Sequence, residues 1–146
     1  MIIRDATKED VLNFKLRQEE QKEFWRTARM TGQEMLEQCW KYSRECRVVE
    51  QDGKIFCLFG CVPEGEGACV WILFTEIESL PLSFFKISKT YIKGLLKTYK
   101  YLWNYGSAEN VFILKWSEML KFTISEPEPY GVDGLSYKKF YIGRDA

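Results

Sequence analysis

The sequence predicts a mixed α/β fold in which helices cover both faces of a central sheet. Three observations indicate this fold class. Asp52-Gly53 lies between two apolar segments, which is typical of a tight hairpin turn because both residues tolerate positive φ. Residues 68–75 form an almost continuous apolar run, as expected for a strand at the centre of a sheet. Residues 82–101 repeat apolar side chains at the spacing of an amphipathic helix.

The elements before the hairpin follow from local signals. Residues 2–4 are a short apolar strand, and Thr7 with Asp10 begins a helix in a pattern similar to a capping box. We expect that helix to continue through the polar residues 17–23. A second helix follows the break at Thr31, because apolar side chains then recur at helical spacing.

The elements after the long helix close the sheet. Residues 102–105 form a strand, and Ser107 caps a further helix that ends near Leu120. Two alternating strands follow at 122–126 and 137–142, separated by a turn-rich loop. The order is therefore β-α-α-β-β-β-α-β-α-β-β, a sheet of about six to seven strands in one domain that spans residues 1–146.

Composition excludes several classes of protein. Hydrophobic residues are 46% and charged residues 29% of the chain, which excludes wholesale disorder. The 21 basic side chains equal the 21 acidic ones, so bulk charge does not indicate a nucleic-acid-binding protein. No apolar run approaches the roughly 20 residues that span a membrane, and residues 1–5 do not resemble a signal peptide. We expect a cytoplasmic protein without a membrane partner.

Histidine is absent, which removes the commonest general base and the commonest metal ligand. The 5 cysteines include no C-x-x-C pair, so neither a zinc site nor a thioredoxin-type redox site is indicated. We expect all of them to be reduced thiols, most of them buried, and we expect no metal site.

Residues 109–122 carry the most informative motif. Four positions of this segment match the pattern E-N-x-x-A-x-x-x-Y-x-x-L-G-F without a gap, namely Glu109, Asn110, Leu120 and Phe122. Many acyltransferases of the GNAT superfamily have that pattern at this place, and the order of elements resembles theirs along nearly the whole chain. Ile113, Ser117 and Lys121 replace the Ala, Tyr and Gly of the pattern.

A narrower resemblance covers about the C-terminal half. Leu102-Trp103-Asn104-Tyr105 lies between a lysine-rich helix and the helix that contains Asn110. This layout is similar to that of the small internal-virion or morphogenesis proteins of short-tailed phages, which are themselves divergent GNAT-like proteins. The resemblance implies a phage-encoded protein that acts in the host cytoplasm or in the virion.

The cofactor loop of the superfamily is not matched. GNAT enzymes hold the pyrophosphate of acyl-CoA on a Q/R-x-x-G-x-G/A loop that opens the long helix, where backbone N–H groups approach the phosphates. Here residues 75–85 contain no glycine and no basic residue before Lys86, while Glu76 and Glu78 add negative charge and Pro81 lacks an N–H. We therefore expect no cofactor, and acetyl-CoA only if the chain is an enzyme.

The resemblance also implies roles for individual residues if acyl-CoA binds. Glu76 or Glu78 would be the general base, and Ser117 or Tyr105 would protonate the leaving thiolate in place of the missing tyrosine. The cofactor would contact Phe74, Thr75 and Asn110, which follow from the same resemblance.

Five lysines form a stripe on the polar side of the long helix, and they are Lys86, Lys89, Lys93, Lys97 and Lys100. The stripe is either a solvated face or a docking surface. As a docking surface it would bind an acidic partner protein or a nucleic-acid backbone, and we favour the protein.

Two functions remain open. The first is a non-catalytic binding or virion-assembly protein, a pseudoenzyme on an acyltransferase scaffold. The second is an acyl-CoA-dependent N-acetyltransferase with a divergent cofactor loop. The space between the strands at 68–75 and 102–105 distinguishes the two functions, because GNAT proteins seat the pantetheine arm of the cofactor in a V-shaped gap between these strands.

Overall fold

The structure is a computed structural model that describes residues 1–144. Its helices are α1 (Lys8–Leu12), α2 (Gln18–Ala28), α3 (Gly32–Tyr42), α4 (Leu82–Thr98) and α5 (Val111–Met119). Its strands are β1 (Ile2–Asp5), β2 (Glu45–Gln51), β3 (Lys54–Glu64), β4 (Gly67–Phe74), β5 (Tyr101–Ser107), β6 (Thr123–Ile124), β7 (Glu128–Tyr130) and β8 (Leu135–Gly143). The predicted mixed α/β class is confirmed.

The strands form one 8-stranded sheet in the order β1-β2-β3-β4-β5-β8-β6, with β7 paired to β8. Every pairing is antiparallel except that of β4 with β5, which run parallel. The β2–β3 hairpin turns at Asp52 and Gly53, whose φ angles of 54° and 77° confirm the predicted turn. The extra strand is β7, which pairs with β8 where the sequence predicted a loop.

Two apolar clusters lie on opposite faces of the sheet. Phe84 of α4 packs against one face, together with Phe74 of β4. Leu36 of α3 packs against the other face, together with Leu73 of β4. Adjacent β4 residues therefore serve different clusters, as the alternation of side chains along a strand requires. The helices cover both faces, as predicted.

The helical region before β2 differs from the prediction. The chain leaves α1 after Leu12, and α2 begins only at Gln18, so three helices precede β2 instead of two. Between them, the backbone N–H of Arg17 donates to the carbonyl oxygen of Phe74 at 3.0 Å. In a continuous helix that N–H would bond to the carbonyl four residues earlier, so the contact with β4 is incompatible with the predicted helix.

The helix after β5 begins later than predicted. Its N-cap is Asn110, whose side chain accepts from the N–H of Ile113 at 3.2 Å. Ser107 ends β5 instead, where it pairs with Tyr137, and its hydroxyl accepts from the N–H of Glu109 at 3.2 Å. Serine and asparagine are comparable N-caps, so strand pairing decided between them.

The cysteines are free thiols, and Cys57 and Cys61 are buried. Within residues 1–144 no helix has both the length and the hydropathy to cross a membrane. The same residues contain no group of three or more Cys, Asp or Glu side chains placed to hold a metal ion.

The parallel strands β4 and β5 pair only at their beginnings. The pairs are Ala68 with Leu102 and Cys69 with Trp103, after which the strands part. Asn104 lies at the point of separation, and its Nδ2 donates to the carbonyl oxygen of Val70 at 2.7 Å. Beyond this point, the edge of β4 that faces β5 is free to pair with something else.

Candidate functional site

The edge of β4 that β5 leaves unpaired is bonded at Phe74 to residues just before and at the start of α2. The backbone N–H of Arg17 donates to the Phe74 carbonyl oxygen at 3.0 Å. The Phe74 N–H donates to Oε2 of Glu20 at 3.1 Å. Both backbone polar groups of Phe74 are therefore used within the chain, as they would be by a neighbouring strand. We call Arg17 and Glu20 together the plug.

The side chains of the plug are held close together at this edge. The Arg17 guanidinium lies 4.5 Å from the ring centroid of Phe112, a cation–π contact. Phe112 in turn packs on Phe74, with ring centroids 5.9 Å apart. Nη1 of Arg17 lies 3.8 Å from Oε1 of Glu20, and neither atom has a hydrogen-bond partner among the described residues. Arg17 thus joins α2, β4 and α5.

Two carboxyl groups, one in the plug and one beside it, have strongly raised pKa values. Glu20 is only 2% exposed, and burial raises its pKa to about 8, although the Phe74 N–H and Arg17 oppose the shift. Burial also raises the pKa of Glu23, one helical turn later, to about 7. Nδ2 of Asn110 donates to Oε2 of Glu23 at 3.4 Å and partly offsets that shift.

The residues predicted to contact a cofactor divide into two groups. Phe74 and Asn110 lie beside the plug, since Phe74 bonds to Glu20 and Asn110 bonds to Glu23. Thr75 is directed away from β5, because its N–H and its hydroxyl both donate to the carbonyl oxygen of Phe56 on β3.

The four residues predicted to be catalytic are not hydrogen-bonded to one another. Oε1 of Glu76 accepts from the N–H of Gln18 at 2.7 Å, so this carboxylate lies at the start of α2. Glu78 is exposed on the loop before α4. Ser117 is fully buried, and its hydroxyl donates to the carbonyl oxygen of Ile113 at 2.8 Å.

Tyr105 lies in an aromatic stack on the sheet face opposite α4 and α5. Its ring stacks on Tyr130 at 5.0 Å, and Tyr130 stacks on Tyr137 at 4.6 Å. Trp103 is on the same side, while Trp71 is in the core with its Nε1 donating to Oγ of Ser43 at 2.7 Å. Both tryptophans therefore lie on the sheet face opposite α4.

The start of α4 has no side-chain cap, because Pro81 occupies the N-cap position. The preceding loop carries the two carboxylates of Glu76 and Glu78, although that of Glu76 points to α2. An anion at this helix end would find backbone N–H groups but no basic side chain in residues 75–85.

Comparison of the fold with solved structures decides the architecture. A ribosomal-protein-alanine N-acetyltransferase from Brucella melitensis superposes with a TM-score of 0.70 at 13% identity, over 98% of this chain and 99% of its own. An acetyltransferase of the GNAT family from Streptococcus pneumoniae gives 0.64 at 12% identity, over 97% and 98%. The chain has the fold of the GNAT acetyltransferases.

A third GNAT-fold structure is AAC(6′)-Ib in complex with ribostamycin and coenzyme A, with a TM-score of 0.69 at 15% identity over 98% of this chain and 93% of that one. No family model matches the sequence, and no curated protein does. At these identities the similarity establishes the GNAT fold and not an activity.

Sequence reasoning missed the plug in this GNAT fold. Residues 17–23 were expected to be the polar continuation of a helix, and nothing in that prediction indicated that Arg17 and Glu20 are buried. One signal was present, since Glu20 and Glu23 are spaced to lie on one side of a helix that also carries Phe24. Phe74, the partner of Glu20, lies 54 residues further along the chain, and no local pattern indicates that contact.

Proposed function

We propose that this chain is a non-catalytic binding protein built on the GNAT fold, and that its own plug fills the slot where GNAT enzymes seat acyl-CoA. One observation carries the proposal. Phe74, at the end of β4, has both its N–H and its carbonyl oxygen bonded to the plug, at 3.1 and 3.0 Å. An extended pantetheine arm would need those groups.

Opening the slot would be energetically costly. Displacing the plug exposes the Phe112 ring that Arg17 covers and breaks the buried bond between Glu20 and Phe74. Each buried hydrogen bond that is broken without replacement costs about 1–3 kcal/mol. A ligand must supply this free energy in addition to its own binding, which lowers its apparent affinity.

The other cofactor requirements are also poorly met. No basic side chain and no glycine occurs in residues 75–85, so a pyrophosphate lacks both charge and close backbone approach. Ser117 replaces the tyrosine of the superfamily pattern, and its hydroxyl already donates to Ile113 inside the core. These residues do not fit acyl-CoA in this arrangement.

The second candidate is an acyl-CoA-dependent N-acetyltransferase in which the plug moves aside. The observation that favours it is the pair of carboxyl groups at the edge of β4, because burial gives Glu20 and Glu23 pKa values of about 8 and about 7. A carboxylate with a pKa near neutrality suits a general base for an amine. AAC(6′)-Ib, with the same fold, is in complex with coenzyme A.

The phage-type assembly role is a narrower form of the first proposal. It is supported only by the layout around Leu102-Trp103-Asn104-Tyr105 and by the unmatched cofactor loop. In that string, Asn104 lies where β4 and β5 separate and bonds to Val70, and Tyr105 forms part of the aromatic stack. A role in virion assembly predicts that the protein co-purifies with particles and that deletion of its gene lowers phage yield.

Acetyl-CoA binding separates the two candidate functions. A ligand at 100 times its Kd stabilises the native state by about 2.7 kcal/mol, so an enzyme should melt at a clearly higher temperature with millimolar acetyl-CoA. We expect no change in Tm for the natural chain. A saturable rise in Tm, together with release of free CoA thiol when amines are added, would contradict the proposal.

A variant without the side chains of the plug tests whether the plug is what prevents acetyl-CoA from binding. In Arg17→Ala/Glu20→Ala the Phe74 N–H loses its partner and the Phe112 ring loses the guanidinium that covers it, while the backbone N–H of residue 17 can still donate to the Phe74 carbonyl oxygen. We expect this chain to show a larger response to acetyl-CoA than the natural one. Glu19→Ala, an exposed change on the same helix, is the matched control and should behave like the natural chain. Equal responses from all three chains would exclude the plug as the cause.

A further inference from the structure

A second groove lies beside α4 and shares no residue with the plug. It has a volume of about 580 Å³ and runs between α4, the end of α5 and the end of β8. Lys89, Lys93 and Lys97 of α4 line one wall, and Lys121 and Arg144 line the other. Arg144 is held there by its Nε, which donates to the carbonyl oxygen of Leu96 at 2.8 Å.

The described residues that line this groove carry positive charge and no negative charge. Five cationic side chains line it and, in the part of the chain that the structure describes, no carboxylate does. None of its four lysines forms a salt bridge within residues 1–144. The whole chain has a formal net charge of 0, so five of its cationic side chains are concentrated in this groove without an excess of basic residues in the sequence.

The arrangement of these lysines also weakens the helix that carries them. Lys89, Lys93 and Lys97 follow each other at four-residue intervals, and like charges at that spacing destabilise a helix by roughly 0.2–0.5 kcal/mol per pair. A purely solvated face would be more stable with alternating charges. An anionic ligand in the groove would offset the repulsion between these lysines.

The floor of the groove is apolar, which restricts the kind of anion it fits. Ile92, Leu96, Leu120 and Ile142 contribute to the lining between the two basic walls. A phosphate backbone offers no apolar groups to such a floor, whereas a peptide can offer both kinds of side chain. A peptide is therefore the better match.

The spacing of the lysines indicates the conformation of that peptide. Four helical residues rise about 6 Å, so successive lysines of the wall are about 6 Å apart along α4. In an extended chain, every second residue recurs about 6.6–6.8 Å along the strand and points to the same side. Carboxylates at alternate positions would meet the lysines, and the intervening apolar side chains would face the floor.

The lysine stripe of the sequence analysis therefore does not act as one surface. Lys86 lines a different groove, on the side of α4 near Tyr91. Lys100 forms a salt bridge of 3.0 Å with Glu66. Only the three lysines between them share a groove with Lys121 and Arg144.

We propose that this groove binds an extended acidic segment of a partner protein, in which acidic and apolar residues alternate. The proposal rests on the proposed function only in taking the chain to act by binding. Failure of one does not imply failure of the other, because acetyl-CoA binding tests the plug and peptide binding tests the groove.

The probe is a fluorescein-labelled ten-residue peptide of alternating glutamate and valine, measured by fluorescence anisotropy. We expect saturable binding that weakens as salt rises from 50 to 500 mM, since the contacts are charge pairs at a surface. A control peptide has the same composition but groups its glutamates in one block. Equal affinity for both peptides, or no binding of either, would overturn the proposal.

Variants locate the binding to the groove. Lys93→Glu/Lys97→Glu should weaken binding roughly tenfold or more, because two attractive pairs become repulsive. The variant helix should still fold, because lysine and glutamate have similar helix propensities and the glutamate at position 93 lies four residues from Lys89. Lys86→Glu, on the same helix but outside the groove, is the matched control and should change affinity less than about twofold.

A nucleic acid is tested in the same assay. An oligothymidylate of ten nucleotides should bind more weakly than the alternating peptide. If the oligonucleotide binds more tightly and Lys93→Glu/Lys97→Glu abolishes it, the groove serves a phosphate backbone and the proposal is wrong. An unchanged peptide affinity in Lys93→Glu/Lys97→Glu would also overturn it.

Discussion

Replacing Glu20 by glutamine should make the stability of this protein less dependent on pH. Burial raises the folded-state pKa of Glu20 from its ordinary value of 4.5 to about 8. Between these two values the folded chain holds a proton that the unfolded chain has released. Stability from this group is therefore present at acidic pH and is lost as the pH rises.

The magnitude follows from the two pKa values. One pKa unit corresponds to about 1.36 kcal/mol, and stability falls at nearly that rate per pH unit inside the window. From pH 5 to pH 7.5, Glu20 alone should lower the free energy of unfolding by about 3 kcal/mol. Glu23 contributes in the same direction up to about pH 7, and it is present in both chains.

Urea unfolding at several pH values measures this difference. The slope of unfolding free energy against pH is the readout, because the buried amide of Glu20→Gln also changes the absolute stability. We expect a shallower decline for the variant than for the natural chain, and an unchanged decline for Glu19→Gln on the exposed side of α2. Parallel lines for natural chain and Glu20→Gln would refute the account of Glu20.

Three further substitutions test the packing by thermal and urea unfolding. Gly94→Ala should stabilise by about 0.5–1 kcal/mol, because no atom lies within 4 Å of the added Cβ and the helix gains a better former. Thr31→Ala removes the capping box of α3 and should cost about 1 kcal/mol. Gly60→Ala should cost about 1–3 kcal/mol, since its Cβ would collide with the Glu45 carbonyl oxygen and the Trp71 ring. A neutral Gly60→Ala or a destabilising Gly94→Ala would contradict this packing.

The parts of the fold that were predicted from the sequence have local causes. Asp52 and Gly53 form the tight turn because their own backbone preferences suit positive φ. The long helix was predicted because its apolar residues recur at helical spacing, and it spans Leu82–Thr98. Both signals lie within a few residues of the structure they specify.

The parts that were not predicted depend on contacts distant in sequence. The helix expected through residues 17–23 is interrupted before Gln18 because Arg17 bonds to Phe74 on β4. Ser107 was expected to cap a helix, but its pairing with Tyr137 keeps it in β5. Tertiary pairing overrode local propensity at both places.

The candidate site was predicted less completely than the fold. The lack of glycine and of basic side chains in residues 75–85 is a local property that can be read from the sequence. The plug was not predicted, because a polar stretch in a helix ordinarily faces solvent, and the spacing of Glu20 with Phe24 does not indicate the distant partner Phe74. The sequence likewise does not distinguish the lysines of the stripe from one another, whereas in the structure Lys100 pairs with Glu66.

The backbone amide of Phe74 tests most directly whether the plug fills the acyl-CoA slot. In a ¹⁵N-labelled chain, its signal reports the bond from the Phe74 N–H to Glu20. We predict that acetyl-CoA up to several millimolar leaves this signal in place, and that Glu20→Gln shifts it strongly. A saturable shift of the Phe74 signal with acetyl-CoA in the natural chain would contradict the account.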